Sequence, residues 1–179
     1  DDLRTLEREL LVDISRTLQV RLGVGIGEKR GSATGVDPVA YEYYLRGLSY
    51  WTNRRGNAER FGALAAFERA SVIDPAFANA WAAIGVVGAH SAGSPLAMDR
   101  VAFVARTEQA FATALSLEPN NLMAHQGLAV WHSSQNIDLD AARTHLQAAQ
   151  SAAANSLDTH YAAFFHYSLI GDVQRALYH

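Results

Sequence analysis

A chain of 179 residues, 49% of them apolar and with a formal net charge of −3, suits one domain with a sizeable core or an open stack of short units. That charge gives no reason to expect a nucleic-acid backbone as partner, and Lys29 is the only lysine. The lack of cysteine excludes disulfides, thiolate catalysis and zinc–thiolate sites, and no apolar run reads as a bilayer span or signal peptide.

Leu3, Leu6, Leu10, Ile14, Leu18 and Leu22 recur at spacings of three and four, while Arg4, Glu7, Arg8, Asp13 and Arg16 take other faces. The pattern predicts an amphipathic helix over 1–22 that packs on the domain or connects to something upstream. Residues 23–36 are glycine-rich, but no Gly-Lys-Ser/Thr occurs, so they read as a flexible linker and not a phosphate loop. Asp37-Pro38 reads as an N-cap with proline at the first helical position, opening a helix that carries Tyr41, Tyr44, Gly47, Leu48, Tyr50 and Trp51. After a turn over 52–57, Asn57 is expected to cap a helix continuing to Ile73.

Asp74-Pro75 must end that helix, because proline fixes φ, removes a donor and disfavours helix at the residue before it. The second helical pair starts here with Trp81, Ile84 and Gly85. A loop over 88–95, with Gly93-Ser94-Pro95 as cap, leads to a long helix from about Pro95 to Leu117. The third pair carries Leu128, Ala129 and His132, turns between Asn136 and Asp140, and continues through Ala141, Ala148 and Ala149. Ala153 stands where another proline is expected, and Asn155-Ser156 reads as the turn and cap instead. A fourth pair starts near Asp158, turns at Gly171-Asp172 and breaks off with Ala176 and Leu177 expected to be exposed, so the chain reads as a piece of a longer protein.

The punctuation repeats. Ala63, Phe67, Ala70, Pro75, Trp81, Ile84 and Gly85 are answered in phase by Thr107, Phe111, Ala114, Pro119, His125, Leu128 and Ala129. Two antiparallel helices approach closely only where Gly or Ala faces the partner and a large residue fills the adjoining gap. Gly47, Gly85 and Ala70 are therefore expected contact points, with Phe67, Trp81 and Phe111 as fillers. The pattern resembles the tetratricopeptide repeat, a helix-turn-helix unit of about 34 residues. The resemblance implies an all-α, right-handed superhelical α-α solenoid with units at about 37–75, 76–119, 120–155 and 156–179, the last truncated. Against the family's spacing, the first unit's turn carries about four extra residues and the second about ten.

A wider likeness joins Leu6-Glu7-Arg8-Glu9-Leu10, Ile14, Leu18 and Leu22 to the stretches 37–47 and 66–78. Together they are similar to the C-terminal part of bacterial regulators in which a class III adenylate cyclase or a winged-helix DNA-binding domain precedes a TolB-like domain and then tetratricopeptide repeats. The likeness implies a signalling parent, with no cyclase catalytic residue in this chain.

No constellation for chemistry emerges. His125 and His132 lie seven apart on one helix face, no His-x-x-x-His occurs and no Gly-x-Ser-x-Gly occurs, so the expectation is no catalysis, no cofactor and no metal. What remains is a surface. The resemblance places the first helix of each pair on the concave side and assigns it Tyr41, Tyr44, Leu48 and Trp51, then Asn79, Ala82, Val86 and His90, then Gln126, Val130 and Ser134, then Tyr161 and Phe165. This lining is uncharged, unlike family members that clamp a peptide carboxylate with Lys, Arg and Asn. Either it is covered by the chain's own 1–22 helix or it binds. The partner implied is a protein or peptide, the upstream domain, or a second copy in a homodimer, with no nucleic acid bound and no membrane insertion. The alternative is an architectural or dimerisation segment of an adenylate cyclase. The cytoplasm is the expected compartment, and the periplasm is compatible with the same groove.

Overall fold

The computed structural model describes residues 35–53, 56–91, 99–135 and 137–179. All belong to the second of two units, Gly35–His179. The helix expected over 1–22, and the linker as far as Thr34, lie outside the described residues. These form helices and no strand: α1 (Pro38–Thr52), α2 (Asn57–Ile73), α3 (Ala78–Ala89), α4 (Arg100–Leu117), α5 (Leu122–Ser134), α6 (Leu139–Ala153), α7 (Leu157–Leu169) and α8 (Val173–Tyr178). Each odd helix packs on the even helix that follows it, while α2 also meets α3, α3 meets α5 and α5 meets α7. Two buried clusters make the core. One joins α1, α2, α3 and Ala110 of α4 around Tyr44, Phe67, Phe77 and Ile84; the other joins α3 to α7 around Phe111, Leu128, Trp131 and Leu146.

The helix ends follow from local chemistry. Asp37 caps α1, its carboxylate accepting from the backbone N–H of Val39 and Ala40 at 2.7 and 3.1 Å, with Pro38 at the first position. Asp74 ties the start of α1 to the turn between α2 and α3: Oδ2 accepts from the Asp37 N–H at 3.0 Å and Oδ1 from the Ala76 N–H at 3.0 Å. Asp74 and Glu118, each just before a proline, are both extended (φ −128° and −141°), as the pyrrolidine ring demands.

Two boundaries, and the capping bond at a third, differ from expectation. Gly56, not Asn57, is the N-cap of α2; its extended backbone (φ −164°) sets the entry and Asn57 is already helical. The long helix of the second pair begins at Arg100, capped by Asp99, whose carboxylate accepts from the Ala102 N–H at 3.1 Å. Of the loop expected over 88–95, Gly88 and Ala89 are still in α3, and the expected cap Gly93-Ser94-Pro95 lies outside the described residues. At 18 residues α4 is still the longest described helix. Ser156 does stand at the N-cap of α7, but its hydroxyl accepts from Gln126 instead of capping. At the last turn Gly171 takes φ +78°, where a side chain is strained, and Asp172 caps α8. Ala176 is buried against α7, so only Leu177, 80% exposed, matches the expected apolar end.

Close helix approach rests on glycine against phenylalanine. A Cβ on Gly47 would stand 2.5 Å from the Phe67 ring. Phe111 is gripped twice: a Cβ on Gly85 of α3 would stand 2.6 Å from it, and one on Gly127 of α5 2.7 Å. Both phenylalanines are 1% exposed. Trp81 plays a different part from that of a filler in one pair: half-buried, it packs against both clusters, and its indole N–H donates to the Pro75 carbonyl at 2.9 Å. Gly85→Ala is expected to cost about 1–3 kcal/mol in denaturant unfolding, the usual penalty of overpacking a filled core. Shrinking the ring should recover part of it, so a Gly85→Ala/Phe111→Leu double-mutant cycle is expected to show a coupling above about 0.5 kcal/mol.

Buried polar groups add register. Asn121, 2% exposed, caps α5 by accepting from the Ala124 N–H at 2.9 Å and spends its amide on Asn79 Oδ1 (2.7 Å) and Glu118 Oε2 (2.8 Å). One side chain therefore closes a helix start and ties it to α3. Asn121→Ala is expected to destabilise by about 2 kcal/mol, measured by thermal or urea unfolding, because it deletes a cap and strands a part-buried acceptor.

Candidate functional site

The thirteen side chains expected along the first-helix face divide into two sets. Tyr44, Ala82, Gln126 and Val130 are buried, and so belong to the core and not to a binding surface. Tyr44 packs its ring 5.7 Å from Phe67 and 5.0 Å from Phe77, and burial drives its hydroxyl far above the ordinary phenol range. Gln126 reaches from α5 to α7, donating to Thr159 Oγ1 at 2.8 Å and Ser156 Oγ at 3.2 Å. Tyr44 is thus taken up within its own pair and Gln126 between two first helices, a distinction that spacing alone does not make.

Tyr41, Leu48, Trp51, Asn79, Val86, His90, Ser134 and Phe165 are half-buried and Tyr161 is exposed. Asn79 is committed to Asn121, and the Ser134 hydroxyl donates to its own helix at Val130 O, 2.8 Å. Tyr41 lies against Tyr44 and Phe77, ring centroids 6.2 and 6.3 Å away. The remaining aromatics form a row. Trp51 of α1 meets His90 edge-on at 5.5 Å, His90 stacks on Tyr161 of α7 at 5.6 Å, and Tyr161 stacks on Phe165 at 6.1 Å. His90 is held by its Nδ1–H, which donates to Val86 O at 2.9 Å. Three first helices thus contribute to one aromatic line, and none of the thirteen side chains carries a formal charge at neutral pH with His neutral.

Histidines are the feature that sequence spacing misjudged. His125 and His132 share a face of α5 as expected, but the ring that meets both is His145 of α6. Its Nδ1 is 2.9 Å from that of His125, and its ring is parallel to that of His132 at 5.6 Å. Burial first, then the imidazoles of His125 and His132, push His145 down to about 4. His160 has a similar partner in His179, Nδ1 to Nδ1 3.0 Å. The pairs are 20 and 19 residues apart, a near-constant interval that was present in the sequence, whereas a search for helical i,i+4 spacing passes over it. Among the described residues no three His, Asp or Glu side chains converge where a metal ion could sit, and no helix is long and apolar enough to cross a membrane.

His166 lies fully buried in α7 with Nδ1 3.2 Å from the Ser133 hydroxyl and Nε2 without a partner among the described residues. Burial, and secondarily the Arg143 charge, hold it below the ordinary imidazole range. The unfolded chain then takes up a proton near pH 6.5 that the folded chain refuses until lower pH, so this stability is present above about pH 6.5 and is lost on acidification. Urea unfolding is expected to show stability falling from about pH 7.5 to 5.5, with a shallower fall in His166→Gln.

The chain matches no protein-family model and no curated protein.

Proposed function

We propose that residues 35–179 are a tetratricopeptide-type stack of helical pairs that serves as a non-catalytic protein-interaction module of a signalling protein, binding an apolar, uncharged segment of a protein along the first-helix face. The stack reading is supported by structure that recurs with the sequence period. Gly47 faces Phe67 as Gly85 faces Phe111, and the ring N–H of Trp81 bonds the Pro75 carbonyl as His125 bonds that of Pro119, at 2.9 and 3.0 Å. In such stacks the first helices line one face, and that face is where extended segments dock.

The observation that carries the binding reading is the row Trp51, His90, Tyr161 and Phe165, drawn from α1, the C-cap of α3 and α7. Aromatic side chains concentrate binding energy because they bury large area with few rotatable bonds. The uncharged lining argues for an apolar ligand over a carboxylate terminus. Selection from a random-peptide display library on the immobilised chain tests this. Enriched peptides are expected to be apolar and aromatic, and to lose at least about tenfold in affinity for a Tyr161→Ala/Phe165→Ala chain that keeps its wild-type circular dichroism, the loss of one strong anchor. Enrichment of acidic peptides, or binding indifferent to the double substitution, would defeat the reading.

A further inference from the structure

His125 is held in a particular way. Its Nε2 stands 3.0 Å from the Pro119 carbonyl, and a carbonyl only accepts, so that nitrogen carries the hydrogen. In the neutral tautomer Nδ1 is then bare, and it points at Nδ1 of His145, 2.9 Å away on the neighbouring helix. A metal-binding imidazole is characteristically fixed like this, its second nitrogen donating to a backbone carbonyl so that the ring cannot turn.

A hydrogen bond from the Nδ1–H of a neutral His145 to the bare Nδ1 of His125 has the same separation, but two observations favour a chelate. First, the architectural task at this position is complete without Nδ1. Trp81 occupies the matching place in the preceding unit, makes the same bond to Pro75 and has no second nitrogen. Second, the pair recurs. His160 and His179 follow His125 and His145 by 35 and 34 residues, one repeat later, and again set Nδ1 against Nδ1 at 3.0 Å.

Geometry narrows the ion. With metal–nitrogen bonds of about 2.0–2.1 Å, two imidazole nitrogens stand about 2.9 Å apart across a right-angled site and about 3.3 Å across a tetrahedral one. The observed separations fit the right angle, which Cu²⁺ and Ni²⁺ accept more readily than Zn²⁺. His125 also borders an open depression of about 350 Å³, lined besides by Asn120, Ala148, Ser151 and Ala152, which leaves room for water beside that ring.

We propose that His125 and His145 form a two-imidazole chelate for a divalent transition-metal cation of Cu²⁺ or Ni²⁺ type, water completing its coordination, and that His160 and His179 form a second chelate of the same kind. Calorimetric titration of the whole chain with Ni²⁺, in a non-coordinating buffer at about pH 7.5 where imidazole is neutral, tests it. Two saturable sites are expected in the wild type and one in His160→Gln. On that background the remaining site should weaken at least about tenfold in either His125→Trp or His145→Gln. His125→Trp retains the bond to Pro119 as Trp81 does for Pro75, so a purely structural histidine would leave its fold and its nickel binding alike unchanged. His145→Gln leaves His125 untouched and serves as the second probe of the pair. Absence of saturable binding, or a site that survives both substitutions, would overturn the proposal.

Discussion

The structure depends on one steric constraint: a phenylalanine ring occupying the volume that a Cβ would need. Phe111 fits only because Gly85 and Gly127 present bare backbone to it from two first helices at once. That single ring sets the spacing of α4 from α3 and of α3 from α5, and Phe67 with Gly47 sets the first pair in the same way. Dispersion grows steeply as backbones close, so each glycine exchanges its own conformational cost for contact between two whole helices. The polar ties are placed where this apolar contact leaves off. Asn121 reaches Asn79 at one end of the α3–α5 seam; on the α5–α7 seam Gln126 reaches Thr159 and Ser133 reaches His166. Each tie penalises a slip of one helix against the next, which the apolar contacts alone resist less sharply.

Much of this was legible because the informative residues act locally or in phase. Proline stops a helix whatever surrounds it, so the breaks at Pro75 and Pro119 could be read from the sequence, and the small-and-large pairing of Gly47, Gly85, Phe67 and Phe111 followed from the repeat. The caps were harder. Asn57, Pro95 and Ser156 are all plausible starts by composition, whereas the observed starts follow an extended backbone at Gly56 and, at Asp99, a carboxylate within reach of the Ala102 N–H. A hydroxyl such as that of Ser156 can serve its own helix or a neighbour, and only packing decides which.

The site was the least legible part. Helical periodicity says which residues share a stripe but not how wide the neighbouring helix is, so Tyr44 and Val130 looked like lining and are core. The aromatic row depends on α1, α3 and α7 coming together, a relation between residues as far apart as Trp51 and Phe165. The His125–His145 contact is likewise a relation between two helices, each of which by itself carries an unremarkable half-buried histidine.

The division of the core into two clusters has a dynamic consequence. The two sets of buried residues are disjoint, yet α3 supplies both, sending Ala80, Ala83, Ile84 and Val87 to one and Ala82 and Ala89 to the other, while α4 divides itself between Ala110 and Phe111. Among the described residues, only Trp81 and Met123, both half-buried, lie against the two sets together. The central pair thus cannot open without dissolving both halves, whereas α1 can detach at the expense of one and α8 at the expense of neither. Amide hydrogens of α3 should accordingly exchange only through global opening, and protection should decay outward from the middle of the unit toward its ends.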